Sequence, residues 1–196
     1  MLDLVCSLIA PIGDYRRAHR ARCPGKKRKR AATAAPDISL HILTGLNVIT
    51  RYLERHAAAA ATATAPANPL PKAALILLTH PNPSLSPAHA HIPTLLHLAT
   101  LHPQQPPAIP ATPLAANTAT RLVPLATTAD ARLASKLAIP RVGALAILDS
   151  APGASALLAL ARERVGLTEC AWVEEAMSGE WRGVHVEAKA AAAGVV

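Results

Sequence analysis

Residues 38–56, ISLHILTGLNVITRYLERH, are the stretch that decides the fold of this 196-residue chain. A short apolar run at 40–43 comes first. Leu46, Ile49 and Leu53 then recur at the i, i+3, i+7 spacing of a helix with one buried face. The stretch therefore predicts an apolar run that leads directly into an amphipathic helix, and the apolar face of that helix must pack on a core.

The opposite face of this helix is polar. Its members, in chain order, are Thr44, Asn47, Arg51 and Arg55. Thr44 can cap the helix, and Gly45 lets a phosphate or a base approach backbone N–H groups that favour anions. Asn47 offers a donor and an acceptor to a base edge, and Arg51, one turn later, can neutralise a phosphate. On the residues alone an alternative stays open, in which Gly45 only opens the helix and Asn47 is an ordinary surface residue.

Short apolar strands alternate with helices along the chain. The predicted strands cover Ala73–Leu78, 121–125 and 142–148, and the predicted helices cover 2–20, 92–101, 129–137 and 154–165. Pro11 interrupts the first helix, which is expected to be short and amphipathic. The alternation predicts an α/β domain built in layers.

Segments of low complexity separate these elements. The expected organisation is a first helix at 1–20, a basic loop at 21–37, an α/β domain at 38–168 with Ala/Pro-rich loop insertions at 57–71 and 102–120, and a partly flexible C-terminal segment at 169–196. The first insertion is expected to be a mobile loop. Trp172 and Trp181 could cover an interface, and they could equally close the core.

Composition limits what the chain can bind. It holds 44 alanines, no Phe and only four Trp and Tyr residues, so aromatic platforms for single-stranded nucleic acid are all but excluded. Charged residues make up 16% of the chain and aliphatic runs recur, which excludes full disorder. Three widely spaced cysteines indicate a reducing compartment. We expect no secretory signal and no membrane-spanning segment.

The basic residues are concentrated at one end of the chain. Net charge is +8, and residues 1–56 hold 11 of the 20 Lys and Arg against 4 of the 12 Asp and Glu. Nine Lys and Arg and no acid lie between Arg16 and Arg30, a run that is expected to stay open until it meets an anion or an import receptor. This distribution favours a polyanion as partner, with nucleic acid ahead of acidic lipid. A solubilising charged loop is the alternative.

Motifs for catalysis or metal binding are not evident. The histidines that lie close together in the chain are His89, His91, His97 and His102. No Cys or acid accompanies them, and their spacing fits no ligand pattern. The sequence contains neither a Gly-x-Ser-x-Gly nucleophile motif nor a phosphate-binding Gly-x-x-x-x-Gly-Lys loop. We therefore expect no catalytic residue, no metal or other cofactor and no small-molecule substrate.

The segment GLNVITRYLER, residues 45–55, resembles the signature helix of the kink-turn-binding ribosomal-protein superfamily, whose usual form is G-x-N-E-V-T-K-x-[IL]-E-R. The downstream order is also similar, with a helix that starts at HIPTL and an apolar loop followed by a small-residue strand in KLAIPRVGALAI. With the basic GKKRKR loop and the Ala/Pro-rich body, the chain is most similar to the Pop-three-type protein subunits of fungal ribonuclease P and ribonuclease MRP. Compared with that family it begins directly at the first helix, which suggests a shortened N-terminus.

The resemblance implies a three-layer α-β-α sandwich around a small mixed four-stranded sheet. It also implies that the start of the 45–55 helix and the loop 139–142 lie side by side, where an amide recognises a sheared G·A pair and an apolar loop packs on an extruded nucleotide. The RNA-binding residues so implied are Thr44, Gly45, Asn47, Arg51, Ile139, Pro140, Arg141 and Val142. The candidates for phosphate contact or nuclear import are Lys26, Lys27, Arg28, Lys29 and Arg30.

Two positions depart from the family pattern. Thr44 stands where the family has Lys, and Val48 stands where it has Glu. One phosphate contact and one base contact are therefore missing. Salt-sensitive backbone contacts from the basic run are expected to compensate.

The sequence leaves three hypotheses for the function of the chain. The leading one is a non-catalytic, nuclear and nucleolar subunit of ribonuclease P or MRP that binds the structured RNA and other protein subunits, while the RNA performs cleavage. The second is a ribosomal or small nucleolar ribonucleoprotein, which co-purification with small nucleolar RNA would favour. The third is a metal-dependent hydrolase that uses the histidine stretch, which elemental analysis of the purified protein tests.

Overall fold

A computed structural model of the chain describes residues 1–20, 34–61, 70–100 and 119–179. At its centre is a four-stranded sheet with the strand order β1-β4-β2-β3. The strands are β1 (Ile42–Thr44), β2 (Ala73–Leu78), β3 (Arg121–Pro124) and β4 (Ala144–Leu148). Strand β4 is antiparallel to both β1 and β2, whereas β3 is parallel to β2. The predicted α/β class with a small mixed sheet is confirmed.

Helices pack on both faces of this sheet. They are α1 (Leu2–Arg20), α2 (Leu46–Ala61), α3 (His91–Thr100), α4 (Thr128–Leu137), α5 (Ser155–Arg164) and α6 (Ala171–Ser178), with 3-10 turns at Asp37–His41 and Pro83–Leu85. Most of the predicted elements begin or end within two residues of these bounds. Helix α6 was not predicted, because its eight residues lie in the segment 169–196 that was expected to be partly flexible.

Three layers follow from the two central strands, which are buried along their whole length. Successive side chains of a strand point to opposite faces, so a strand with no polar face needs a helix layer on each side. Leu75 and Leu77 of β2 belong to the core formed with α1, α4 and α5. Ile76 and Leu78 belong to the core formed with α2 and α3. The layering implied by the resemblance is therefore present.

Helix α1 is continuous through Pro11, whereas the sequence predicted a short, interrupted helix. Proline removes one backbone hydrogen bond from a helix interior. Val5 and Ile9 before it and Ile12 after it are all buried in the same core, so packing holds both halves of the helix in line.

The C-terminal half of α1 binds the end of α4. A guanidinium nitrogen of Arg16 donates to the carbonyl oxygen of Leu137 at 3.1 Å, and Arg17 donates to that of Ser135 at 3.0 Å. The last carbonyls of a helix lack partners within the helix, so these arginines cap α4. The expectation that the basic run from Arg16 stays open is therefore wrong at its first two members.

Helix α2 extends further than the sequence predicted. Residues 57–61 are its last turn, so the predicted loop at 57–71 is wrong for these residues. The reason is that all five are alanine, which has the most favourable helix propensity. Residues 62–69 of this insertion and nearly all of the insertion at 102–120 lie outside the described residues.

The C-terminal segment packs on the domain through the start of α6. Cys170 and Val173 are buried there. Trp172 is 61% exposed, so its side chain does not close the core, and Trp181 lies outside the described residues. No helix in the described ranges is both long enough and apolar enough to span a membrane.

Candidate functional site

The start of α2 lies at one edge of the sheet. Strand β1 ends at Thr44, so the residue directly before the helix is Gly45, and the prediction that Thr44 caps the helix is wrong. Gly45 has a φ of +102°, a conformation that glycine adopts without strain. Its N–H donates to the carbonyl oxygen of Ala144 at 2.9 Å, and its own carbonyl accepts the N–H of Ile49 at 3.2 Å. The glycine thus turns the chain from strand to helix.

The polar face of α2 is open to solvent beside this turn. Asn47, Arg51 and Arg55 are exposed, and Val48 is 47% exposed. No described side chain forms a hydrogen bond or an ion pair with the side chain of Asn47 or Arg51. An amide and a guanidinium one turn apart are therefore available to a ligand.

The loop before β4 has both buried and exposed members. Val142 is fully buried, and its N–H donates to Oδ1 of Asp130 at 2.6 Å. Ile139 packs partly buried against the core on the α1 side of the sheet. Pro140 and Arg141 are exposed. A fully buried side chain offers no surface to a ligand, so Val142 supports the loop from within the core instead of contributing to its outer surface.

The end of this loop lies beside the start of α2. A Cβ atom built on Gly143 would stand 3.9 Å from Cβ of Leu46 and 4.0 Å from Nε2 of His89. The register explains why, since Thr44 pairs with Leu145 in the sheet. The carboxyl ends of β1 and β2 and the amino end of β4 share one edge, where the segments that follow or precede these strands meet.

Two histidines, His80 and His89, border the same edge. The sequence suggested His89 only as a possible metal ligand and suggested no role for His80. The rings of His80 and His89 stack with centroids 5.5 Å apart and an interplanar angle of 23°. Nδ1 of His89 lies 2.8 Å from the hydroxyl oxygen of Ser86, and its Nε2 lies 3.3 Å from the carbonyl oxygen of Gly143. The ring thereby connects the segment after β2 to the loop before β4.

A further histidine connects α3 to α2. Nε2 of His91 lies 2.8 Å from the hydroxyl oxygen of Thr50, which itself donates to the carbonyl oxygen of Leu46 at 3.0 Å. A sequence signal was present only for His80, which lies two residues after the buried strand β2.

His97 of the same stretch is not part of this arrangement. His97 is buried on α3 with its Nε2 3.7 Å from Oε1 of Glu174, and His102 lies outside the described residues. In the part of the chain that the structure describes, no three His, Cys, Asp or Glu side chains are arranged to hold a metal ion. The basic candidates between Lys26 and Arg30 also lie outside the described residues.

Comparison with known proteins does not identify the chain. No protein-family model matches it, and no curated protein matches it either. Function is therefore inferred from the residues at the sheet edge and from the distribution of charge.

Proposed function

We propose that this protein is a non-catalytic RNA-binding subunit of the ribonuclease P and ribonuclease MRP ribonucleoproteins, where it supports 5′ processing of precursor tRNA and processing of precursor rRNA. The observation that carries the proposal is the exposed polar face at the start of α2. Asn47 and Arg51 lie there next to a backbone turn at Gly45. Such a surface can contact a base edge, a phosphate and a backbone at once.

Each residue has a distinct task in this proposal. The amide of Asn47 donates to and accepts from the edge of a base in a distorted RNA helix, which exposes base edges that a regular helix hides. Arg51 and Arg141 contact phosphates on either side of that base. Gly45 carries no side chain, so the RNA backbone can approach the start of the helix closely. The RNA component performs the cleavage.

Val48 gives the surface an apolar member that the family pattern lacks. Its side chain is 47% exposed directly after Asn47. A branched aliphatic group accepts no hydrogen bond, so it packs on a sugar or on the face of a base. Affinity then depends more on phosphate contacts, which the run from Lys26 to Arg30 supplies in a salt-sensitive way. The same run serves nuclear and nucleolar import.

The identity of the bound RNA is the first test. The tagged protein is isolated from cells and the RNA that accompanies it is sequenced. Ribonuclease P or MRP RNA, together with other protein subunits of these complexes, is the expected result. Enrichment of small nucleolar RNA or ribosomal RNA alone would assign the chain to another ribonucleoprotein. Recovery of no specific RNA would overturn the proposal.

Substitution of Asn47 tests the role of the amide. Asn47→Ala is expected to weaken binding to the co-purifying RNA by roughly tenfold at low salt, because one two-bond contact to a base edge is lost. Ser155→Ala, at the exposed first residue of α5 in the opposite helix layer, is the matched control and should leave affinity unchanged. The measurement is a filter-binding titration. Equal affinity of the Asn47 variant and the wild type would rule out base recognition by this residue.

A further inference from the structure

Two histidines beside the start of α2 can take up a proton without losing a hydrogen bond. For His91 the argument starts from Thr50, whose single hydroxyl proton is donated to the carbonyl oxygen of Leu46 at 3.0 Å. Toward Nε2 of His91, 2.8 Å away, the hydroxyl oxygen can then only accept, so Nε2 carries the hydrogen of the neutral ring. The second proton goes to Nδ1, which no described residue hydrogen-bonds.

His89 can also take up a proton without losing a hydrogen bond, although its partners are different. The carbonyl oxygen of Gly143 can only accept, so Nε2 of His89 donates to it across 3.3 Å. Nδ1 of the neutral ring accepts the hydroxyl hydrogen of Ser86 at 2.8 Å. When Nδ1 is protonated, the hydroxyl turns and accepts instead. Both hydrogen bonds therefore persist in the charged ring.

His80 differs from these two rings. Its Nδ1 accepts the N–H of Asn82 at 3.3 Å, a bond that a proton on Nδ1 would break. The ring of His80 stacks on that of His89.

The charged groups around the two rings are mostly basic. Helix α2 contributes Arg51, Arg55 and the exposed acid Glu54, and the loop before β4 contributes Arg141. Asp130 of α4 also faces this loop, where its Oδ1 accepts the N–H of Val142 at 2.6 Å. The segments 79–100 and 139–148 contain no Asp or Glu. Two additional positive charges would repel these arginines, and an anion that binds between them would relieve the repulsion.

We propose that His89 and His91 form a proton-dependent phosphate subsite at the start of α2, so that mild acid strengthens RNA binding. Charged His91 donates its Nδ1–H to the phosphate, whereas charged His89, whose two ring nitrogens keep their protein partners, attracts the phosphate through its charge alone. The inference rests on the proposed function and specifies which phosphate contacts it uses. A histidine side chain ordinarily takes up a proton near pH 6.5. Because binding of a phosphate favours the charged rings, binding of RNA takes up protons, and affinity rises as pH falls.

The test compares RNA affinity at two pH values. The probe is a synthetic kink-turn hairpin with tandem sheared G·A pairs, titrated by fluorescence anisotropy at about pH 7.5 and about pH 5.5 in about 0.1 M salt. The wild type is expected to bind roughly tenfold more tightly at the lower pH, since a hydrogen bond from His91 and the positive charge of both rings then favour the phosphate. The double variant His89→Gln/His91→Gln is expected to lose the gain, so the ratio of its affinities at the two pH values should be close to one.

The control is His41→Gln, since His41 pairs with Ser150 before the first residue of β1, at the end of that strand away from Gly45. This variant should keep the full gain. His91→Gln alone provides a second variant, and circular dichroism at both pH values checks the fold of all four proteins. Binding with no gain in the wild type, or an equal gain in the double variant, overturns the subsite and leaves the proposed function standing. No binding of the hairpin at either pH also overturns the subsite, whereas the proposed function is tested by the RNA that accompanies the protein from cells.

Discussion

Ala138 adopts a strained backbone conformation, and a single substitution can remove the strain. It follows the last residue of α4 with φ 54° and ψ 43°, the left-handed region. Its N–H bonds to the carbonyl oxygens of Ala134 and Ser135, which fixes the turn. An L-residue with a side chain is strained there, whereas glycine is the usual residue at this position of a helix end.

Ala138→Gly is therefore expected to raise the free energy of unfolding by about 0.5–1 kcal/mol, because the relief of strain exceeds the added entropy of the unfolded chain. Urea denaturation measures the change. Ala131→Gly is the matched control, at an exposed position inside α4, where loss of helix propensity should destabilise by about 1 kcal/mol. Destabilisation of similar size by both variants would contradict the assigned strain.

At single positions, the sequence predicted exposure on α2 well and contacts between segments poorly. Helical periodicity was sufficient to expect Asn47 and Arg51 outside and Ile49 inside, and the structure has them so. Val142 was expected at the surface by resemblance, yet it is buried. The partners of His89 come from a loop 54 residues away, so no local pattern could reveal its environment.

At the scale of elements, the pair α1 and α4 depends on a close approach of two backbones. A Cβ atom at Gly13 would collide with the backbone carbonyl of Lys136, so no side chain fits between these helices. The approach also brings Arg16 and Arg17 within reach of the last carbonyls of α4. Because Gly13 has no side chain, α1 and α4 approach closely enough for the two capping hydrogen bonds to form.

Gly13→Ala is expected to lower the free energy of unfolding by about 1–3 kcal/mol, since a backbone atom cannot turn aside as a side chain would. Thermal and urea unfolding measure the loss. Gly166→Ala is the control, because no described atom lies within 4 Å of its Cβ position. The close packing of α1 on α4 would be contradicted by a Gly13 variant as stable as the Gly166 variant.

The sequence predicted best those elements whose bounds depend only on the burial of apolar residues. The six residues of β2 are all apolar, so this run can be buried on both faces only as a central strand, and its bounds were predicted correctly. The end of α2 was missed because alanine occurs both in helices and in low-complexity loops. The start of α6 depends on the burial of Val173 against the rest of the domain, which only the tertiary structure supplies.

At the scale of the whole molecule, one partly buried imidazole makes stability depend on pH. Burial lowers the pKa of His56, the carbonyl of Pro71 partly opposes this, and the positive charge of Lys72 adds to it. His56 also packs against the ring of Tyr52, with centroids 4.4 Å apart. Burial raises the pKa of Tyr52 to about 12, an effect that its hydrogen bond with Ala73 partly opposes. The two groups therefore limit stability on opposite sides of neutral pH.

The direction of each effect follows from proton binding. Below about pH 6.5 the unfolded chain protonates His56 more readily than the folded protein, so the free energy of unfolding falls as the solution becomes acidic. Above about pH 10 the unfolded chain loses the Tyr52 proton first, so stability falls again. Mild acid is thus expected to weaken the fold while it strengthens the proposed phosphate contacts at His89 and His91.

His56→Gln separates these two effects, because His56 lies more than two turns along α2 from Asn47. Between about pH 7.5 and about pH 5.5 the wild type is expected to lose more stability than this variant, as measured by urea denaturation at each pH. His41→Gln, at a partly exposed histidine on the other side of β1 from Gly45, should behave like the wild type. The gain in RNA affinity should persist in His56→Gln. An identical loss of stability in the wild type and His56→Gln would show that this imidazole does not set the acid limit of the fold.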